Sequence, residues 1–237
     1  MLQAAVAAGA PIEAIYVAPD VDSSETATRV LESAQRSGIR IYELAAGVMQ
    51  RVADAVTPQP LLGVINMLDV ELGSVAQASP LIVLIDVRDP GNVGTIIRSA
   101  DAAGAAAVIC CAGSGDLYNP KAVRSSAGSI FHIPVVVAPP AGETLAALGA
   151  AGVRRLSTVM RGGEDYSVAD LSGRVAIALG NEASGLGADL EMSFDGALTI
   201  PIEGRAESLN VAMTASVLCF EFARRRRAGF LGRSMNR

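Results

Sequence analysis

The chain has 237 residues, 51% of them hydrophobic and 18% charged, and its net charge is −5. This length can bury a sizeable core in one large domain or in two smaller ones, and we favour two. No apolar run reaches the roughly 18 to 20 residues that cross a bilayer, so a membrane-spanning protein is not expected. The acidic balance argues against a uniformly basic surface that binds nucleic acid.

The cysteines, the histidine and the N-terminal residues bear on metal content and compartment. Cys110 and Cys111 are adjacent, Cys219 is distant, and His132 is the single histidine. This pattern matches neither a disulfide framework nor the spacing of metal ligands. Met1 is not followed by the basic segment and apolar core of a signal peptide. We therefore expect a cytoplasmic protein with reduced thiols and no metal ion.

Residues 1–68 predict a small α/β domain. Strand patterns (IEAIYVA, IRIYELA and LLGVINML) alternate with helix patterns, and the longest helix is expected to begin at Ser23 or Ser24 and to stop at Gly38. The first residues already resemble the end of a helix, so we expect that an opening strand is missing and that the domain is N-terminally shortened. The polar segment 69–79, which is followed by Pro80, is the best candidate for a linker.

From residue 80 the pattern changes to buried strands that alternate with helices. LIVLIDV is a continuous apolar run, typical of a strand covered on both faces of a parallel sheet. Asn92 is the predicted N-cap of the next helix, which ends at Gly104. Arg98 follows a strand-end turn, where open parallel sheets bind ligands, although an arginine that only reaches solvent is the alternative. The predicted buried face of this helix consists of Val93, Ile96, Ile97 and Ala100.

Two groups of cations are candidates for contacts with the phosphates of RNA or DNA. Asn119 and Pro120 predict a helix start, and Lys121 and Arg124 lie in its first turns, where phosphate binds well, although an ordinary polar face is an equal explanation. The second group is the run 224–227, from which Arg224 and Arg225 are the candidates. Arginine grips phosphate bidentately, whereas the alternative is that these charges complement the dipole of a helix C-terminus.

The stretch 179–211, LGNEASGLGADLEMSFDGALTIPIEGRAESLNV, has the density of glycine turns and small polar side chains that is typical of a functional site. The sequence lacks the third glycine of a dinucleotide-binding fingerprint and the lysine of a P-loop. Ser184 is not in a G-x-S-x-G elbow. A nicotinamide dehydrogenase, a nucleotide hydrolase and a serine hydrolase are therefore poorly supported.

Three segments follow one another in the second part of the chain: LIDVRDPGNVGTIIRSADAAGA, VAIALGNEASGL and LTIPIEGRAESLNVAMTASVLCFEFAR. In this order they resemble the motifs of the SpoU/TrmH family of RNA ribose 2'-O-methyltransferases in the SPOUT superfamily. The resemblance implies that residues 80–237 form a trefoil-knotted, parallel-sheet methyltransferase domain of the α/β class. It also implies that residues 1–68 form a substrate-binding domain similar to ribosomal protein L30e.

The resemblance further implies the reaction and the assembly. S-adenosylmethionine would be the methyl donor, and the acceptor would be a ribose 2'-hydroxyl of a structured RNA, with ribosomal RNA favoured over transfer RNA. The protein would be a homodimer in which the partner chain completes each active site. The dimerising face of the last helix would consist of Val211, Ala215, Leu218 and Phe222.

Carried over position by position, the resemblance assigns the central catalytic role to Arg98, with Asn92 in support. Glu182, Ser208 and Asn210 would organise the cofactor and the RNA phosphate. A guanidinium has a pKa above about 12, so we expect Arg98 to stabilise a developing alkoxide rather than to act as the general base. The cofactor-binding residues implied by the motifs are Leu179, Gly180, Ile200, Pro201, Ser208, Leu209 and Asn210.

Two other functions stay open at this point. The chain could be a SPOUT methyltransferase that modifies an RNA base, or an RNA-binding homologue without catalytic activity. Transfer of a labelled methyl group to RNA separates the second alternative from an enzyme. Alkali resistance of the phosphodiester next to the label separates ribose methylation from base methylation.

Overall fold

A computed structural model describes residues 1–19, 21, 25–52, 59–181 and 185–229. The predicted helix cap at Ser23 or Ser24 and the predicted site residue Glu182 lie outside these residues. The chain forms two compact units, Met1–Leu68 and Asp69–Arg237. Within the described residues, no helix has both the length and the hydropathy of a membrane span. Nor do His, Cys, Asp and Glu side chains in these ranges cluster in a way that could hold a metal ion.

The first unit is a three-stranded sheet with helices packed against it. The elements are α1 (Leu2–Ala7), β1 (Ile12–Val17), α2 (Glu25–Arg36), β2 (Arg40–Glu43), α3 (Val48–Val52) and β3 (Leu61–Ile65). In the sheet order β2-β1-β3, β2 is parallel to the central strand and β3 is antiparallel to it. Ile15 and Val17 of β1 pack in one cluster with Val30 and Ala34 of α2.

The second unit is built on a seven-stranded sheet. Its strands are β4 (Leu81–Leu84), β5 (Ala107–Cys111), β6 (Val135–Ala138), β7 (Arg154–Thr158), β8 (Glu164–Asp165), β9 (Val175–Leu179) and β10 (Gly196–Thr199). All strand pairs are parallel, in the order β6-β5-β4-β9-β7-β10-β8. Its helices are α4 (Leu72–Val75), α5 (Pro90–Ala103), α6 (Pro120–Ser125), α7 (Ala141–Ala150) and α8 (Val211–Arg227). Two short 3-10 helices, Ser129–Phe131 and Ala188–Ser193, complete the unit.

The middle of the large sheet has the burial that its sequence predicts. Every residue of β4, β5 and β9 is buried, as expected for apolar strands covered on both faces. These three strands are neighbours in the sheet, with β4 between the other two. The chain order changes direction at β4, and such a switch point is where parallel sheets bind ligands, at the carboxyl ends of the strands.

The segment 69–79, which the sequence indicates as a linker, is packed structure in the second unit. It contains α4, and Val75 and Ala76 are buried in the same cluster as Leu81. The Val70 N–H donates to the carbonyl of Val135 in β6 at 2.9 Å. A polar composition hid this arrangement, because few apolar side chains, Leu72, Val75 and Ala76, pack the segment against the core.

The helix after β4 begins three residues earlier than predicted. Asp89 is its N-cap, with a side chain that accepts a hydrogen bond from the Asn92 N–H at 3.0 Å, and Pro90 is in the first turn. The prediction that Asn92 is the cap is therefore wrong, because aspartate followed by proline is itself a strong helix start. The end at Gly104 is confirmed by its left-handed conformation. The predicted buried face is also confirmed at Val93, Ile96, Ile97 and Ala100.

Candidate functional site

A cavity of about 350 Å³ lies at the carboxyl ends of β9, β7 and β10, which are neighbours in the large sheet. This volume is in the range of small-molecule sites in proteins. The floor comes from the strand ends and the turns that follow them, and α8 contributes one wall. The lining residues are Thr158, Val159, Met160, Gly180, Asn181, Gly185, Leu186, Leu198, Ile200, Ile202, Ser208, Leu209, Val211, Thr214 and Leu218.

Four of the seven predicted cofactor-binding residues line this cavity: Gly180, Ile200, Ser208 and Leu209. Leu179, Pro201 and Asn210 are not among its lining residues. Leu179 is fully buried in β9, and its carbonyl accepts from the Ile85 N–H at 2.9 Å, so both its side chain and its carbonyl are engaged within the sheet. The role of these residues toward a cofactor stays a prediction.

The turn after β9 explains the glycines of the second motif. Asn181 and Gly185 exchange two backbone hydrogen bonds of 3.0 and 2.9 Å, so the chain doubles back on itself. A Cβ on Gly180 would lie 2.6 Å from the carbonyl oxygen of Gly185. Only glycine at position 180 therefore allows the close approach, which places backbone groups on the cavity wall.

The first and third motifs meet where α5 and α8 begin. Asn210 caps α8 by accepting from the Ala212 N–H at 2.9 Å, and its amide nitrogen donates to the Asn92 side chain at 3.2 Å. These two asparagines are 118 residues apart in the sequence. The structure thus joins two of the predicted site residues directly.

The contact between α5 and α8 continues along both helices. The hydroxyl groups of Ser99 and Ser216 are 2.7 Å apart, and Arg226 donates to the carbonyl of Gly104 at the end of α5. Because contacts at the start, middle and end of α5 follow the same order in α8, the two helices run side by side in the same direction. Asn92 and Arg98 belong to α5, and Asn210 is the N-cap of α8, so the packing of these two helices sets the relative positions of the three residues.

Arg98 lies on the exposed side of α5 and is not among the cavity residues of its own chain. It is six residues from Asn92, a rise of about 9 Å along the helix axis. Within one chain, the structure therefore brings Asn92 to Asn210 but does not bring Arg98 to the cavity wall.

The predicted dimerising face of α8 is covered within the chain itself. Its residues are at most 6% exposed, and two of them, Val211 and Leu218, line the cavity. The prediction that the dimerising surface consists of Val211, Ala215, Leu218 and Phe222 is therefore wrong, because these side chains are buried. The exposed large apolar side chains of α8 are instead Met213, at 61%, and Phe220, at 47%. Helical spacing could not choose between these faces because α8 is apolar on more than one side.

The arginine run at the end of α8 is largely occupied by contacts within the chain. Arg225 is buried, and its guanidinium donates to Glu221 and to the carbonyls of Tyr166 and Ala169. The prediction that Arg225 contacts RNA is therefore wrong, because burying this cation with its acceptors removes it from the surface. Arg226 is likewise engaged, by the carbonyls at the end of α5.

Glu221 is the anion that balances this cluster. It accepts two hydrogen bonds of 2.7 Å from Arg224, whose side chain stays 56% exposed, and one from Arg225. These contacts, with Arg224 the largest, lower the pKa of the buried Glu221 carboxyl to about 2 against its desolvation. Arg224 thus remains accessible to a ligand, although it already has an anionic partner.

Lys121 and Arg124 both lie on the surface of α6. The Lys121 ammonium is 2.7 Å from the Asp89 carboxylate, and this hydrogen bond is the main cause of a lowered pKa at Asp89. The predicted helix start is confirmed, since the Asn119 side chain accepts from the Lys121 N–H. Asp89 therefore caps α5 and also holds Lys121 beside the start of that helix.

Comparison with known proteins then identifies the family. The sequence profile of the SpoU rRNA Methylase family matches residues 79–220. The chain belongs to this family. It is 39% identical over 184 residues to the 23S rRNA (guanosine(2553)-2'-O)-methyltransferase RlmP of Bacillus subtilis (strain 168), across 78% of this chain and 73% of that protein.

Solved structures of family members have the same fold. The SpoU methyltransferase AviRb of Streptomyces viridochromogenes, in complex with its cofactor AdoMet, has 28% identity and a TM-score of 0.81, over 95% of this chain and 87% of its own. The AdoMet-bound rRNA methyltransferase of Sinorhizobium meliloti has 31% identity and a TM-score of 0.80, over 95% of this chain and 84% of its own. The predicted α/β class with a large parallel sheet is confirmed. The trefoil knot and the L30e-like character of the first unit stay predictions.

Proposed function

We propose that this SpoU family member transfers the methyl group of S-adenosylmethionine to a ribose 2'-hydroxyl of ribosomal RNA. One observation carries the proposal: residues of the second and third motifs line the cavity at the strand ends, and the Asn92–Asn210 hydrogen bond brings the first motif to the start of the same cavity wall. RlmP, a relative across most of the chain, is named for this reaction on 23S rRNA.

The residues of the cavity fit S-adenosylmethionine. The volume of about 350 Å³ suits a nucleoside-sized ligand, and the described lining residues have no ionisable side chain. Apolar walls at Leu186, Ile200 and Leu209 suit an adenine ring, while the tight turn at Gly180 leaves backbone groups free to recognise its edge. When bound, the cofactor supplies a methyl group on a sulfonium centre.

The residues of the chain position the acceptor and stabilise its charge. The Asn92–Asn210 pair fixes the starts of α5 and α8, which limits how the RNA ribose can approach the cavity. Arg98 stabilises the 2'-oxygen as its proton passes to the adjacent RNA phosphate or to a water, because a fixed cation is most effective where charge develops. Ser208, on the cavity wall, and Glu182 are the remaining residues that we assign to organising the cofactor and the RNA phosphate.

We propose that the protein is a homodimer with shared active sites. Arg98 is exposed on α5, away from the cavity of its own chain, and Met213 and Phe220 are exposed on the adjacent α8. Pairing of these outer surfaces would bury the apolar side chains and bring Arg98 of one protomer to the cavity of its partner. The dimerising surface is thus a different side of α8 from the one that helical spacing predicted.

RNA contacts are assigned to three exposed cations, Lys121, Arg124 and Arg224, with the first unit as an additional L30e-like RNA-binding domain. Because the net charge is −5, RNA affinity depends on such local groups and falls as salt rises. An enzyme of this kind works where ribosomal RNA is assembled, and we keep the cytoplasm as the proposed compartment.

Transfer of a tritiated methyl group from S-adenosylmethionine to total RNA tests the reaction. We expect label in ribosomal RNA, next to a phosphodiester that resists alkali, because a 2'-O-methyl group blocks attack on the adjacent phosphate. Unlabelled RNA would support the non-catalytic alternative, and label at an alkali-sensitive position would support base methylation. Mapping in RNA from a deletion strain then identifies the nucleotide.

A further inference from the structure

The side chain of Asn181 connects the turns that follow two neighbouring strands. Asn181 lies just after β9 and lines the cavity, and its amide nitrogen donates to the carbonyl of Asp86 at 3.0 Å. Asp86 lies two residues after the end of β4, which pairs with β9 through the register Leu84 to Leu179. Beyond the backbone pairing of the two strands, this side-chain hydrogen bond therefore joins the turn after β9 to the turn after β4.

Both turns are held in restricted conformations around this bond. Asp86 has a φ of 56°, in the left-handed region that few residues other than glycine adopt. Its carboxylate is 2.7 Å from the Arg88 Nε. On the other side, Asn181 is bridged to Gly185 by two backbone bonds, and Gly180 has no room for a Cβ. Such conformations persist where surrounding contacts over-determine them.

We propose that Asn181 is a positioning residue for the methyl donor. Its amide fixes the cavity wall formed by Gly180, Gly185 and Leu186 to the end of β4. The chain runs from β4 through five residues into α5, which carries Asn92 and Arg98, so the bond fixes the cavity wall relative to α5. This inference rests on the proposed methyltransferase function.

The chemistry of asparagine provides a sharp test. Asn181→Asp preserves the shape of the side chain but replaces the donating NH2 with a carboxylate that only accepts. The carboxylate oxygen and the Asp86 carbonyl oxygen then repel each other. Asn119→Asp is the matched control, because the Asn119 side chain accepts from the Lys121 N–H at 2.8 Å and a carboxylate does this equally well. The same substitution is thus disruptive at one position and neutral at the other.

We expect Asn181→Asp to weaken binding of S-adenosylmethionine to the full-length protein by roughly 10- to 100-fold, measured by isothermal titration calorimetry. Asn119→Asp should stay within about twofold of the wild type. Asn181→Ala, which loses the donor without adding a charge, should weaken binding in the same direction, provided that its thermal transition shows a folded protein. Wild-type affinity in both Asn181 variants would overturn the proposal.

A pH profile separates positioning from a general loss of structure. As the pH falls, the introduced carboxyl gains a proton that it can donate to the Asp86 carbonyl, so the affinity of Asn181→Asp should recover relative to Asn119→Asp. The other ionisable groups nearby are Asp86, Arg88 and, next in sequence, Glu182. They are present in both variants, and their charges affect the pH at which the introduced carboxyl gains its proton but not the direction of the recovery. A ratio that does not change with pH would contradict the proposed donor role.

Failure of this inference and failure of the proposed function give different results. A wild-type protein that binds no S-adenosylmethionine and transfers no methyl group would remove the proposed function itself. A wild-type protein that binds and transfers, together with an unaffected Asn181→Asp variant, would remove only the positioning role of Asn181.

Discussion

At the scale of single residues, several polar side chains close a helix and join distant segments at the same time. Asn210 caps α8 and donates to Asn92, and Asp89 caps α5 and binds Lys121. A single substitution at such a position removes both contacts. Helix starts and site geometry are therefore linked here, and a loss of activity at these positions has to be separated from a loss of structure.

Arg98 offers a cleaner test, because no cavity contact of its own chain depends on it. If it stabilises developing charge, Arg98→Gln should lower kcat by roughly 100- to 1000-fold, whereas Arg98→Lys should retain part of the activity. The affinity for S-adenosylmethionine should be unchanged in both. Single-turnover methyl transfer and calorimetry measure the two effects.

A complete loss of methyl transfer in Arg98→Lys, with normal binding of cofactor and RNA, would instead favour Arg98 as the general base. That role also requires a wild-type rate that rises with pH until arginine itself titrates.

The lowered pKa of Glu221 predicts that part of the protein's stability is lost at acidic pH. The folded-state pKa of Glu221 is lowered from 4.5 to about 2, so its contribution to stability is present above the unfolded-state value and is lost as the pH falls from about 4.5 toward 2. At neutral pH, Glu221→Gln should lower the free energy of unfolding by roughly 1.5–3 kcal/mol, because the buried Arg225 loses its anionic acceptor. Urea unfolding at several pH values measures this difference, which should shrink as the pH approaches 2. A difference independent of pH would contradict the assignment.

At the scale of elements, α5 is the helix that organises the site. It contacts α6 through Gly94, where a Cβ would overlap the Ala122 carbonyl and the Ser125 hydroxyl. It contacts α8 through the Ser99–Ser216 pair and the Asn92–Asn210 pair. Small residues in α5 thus set the spacing between the helix that carries Arg98 and its neighbours.

Gly94→Ala should be destabilising although alanine is the better helix former. The clash with a backbone carbonyl requires α5 and α6 to move apart, at a cost of roughly 1–3 kcal/mol. Gly142→Ala in α7 is the control, since its Cβ would meet only Leu190 at 4.0 Å, and it should gain roughly 0.5–1 kcal/mol. Chemical denaturation of both variants measures these opposite signs. Equal stabilisation would show that α5 and α6 adjust without strain.

At the scale of the whole molecule, the proposed dimer divides each active site between two chains. Asn210 lies beside the cavity, whereas Arg98 is exposed and does not line the cavity of its own chain. A monomer would then bind the methyl donor but lack the arginine at the reacting oxygen. This arrangement makes activity dependent on protein concentration.

Mixing two inactive variants tests the shared site. In a dimer of Arg98→Gln with Asn210→Ala, one of the two sites combines an intact cavity half with an intact arginine. Random reassociation should therefore restore about a quarter of the wild-type activity, whereas each variant alone stays inactive. Methyl transfer after co-refolding measures this. No recovery in a mixture that forms mixed dimers would place Arg98 and Asn210 in the same chain's site.

The local sequence was sufficient for features that depend on neighbouring residues. The continuous apolar run LIVLIDV predicted the buried strand β4, and Asn119 with Pro120 predicted the start of α6. The three ordered motifs also predicted the family and the fold class. These features follow from burial, capping and chain order, which are present in the sequence itself.

The tertiary structure decided which polar and apolar side chains remain available at the surface. Arg225 and Arg224 are adjacent in sequence, but only Arg225 is buried, where its guanidinium donates to the carbonyls of Tyr166 and Ala169. Likewise, packing against α5 covers one apolar face of α8 and leaves Met213 exposed on another. Which side chains are buried thus depends on contacts with residues more than fifty positions away in the sequence, and short-range patterns carry no information about those contacts.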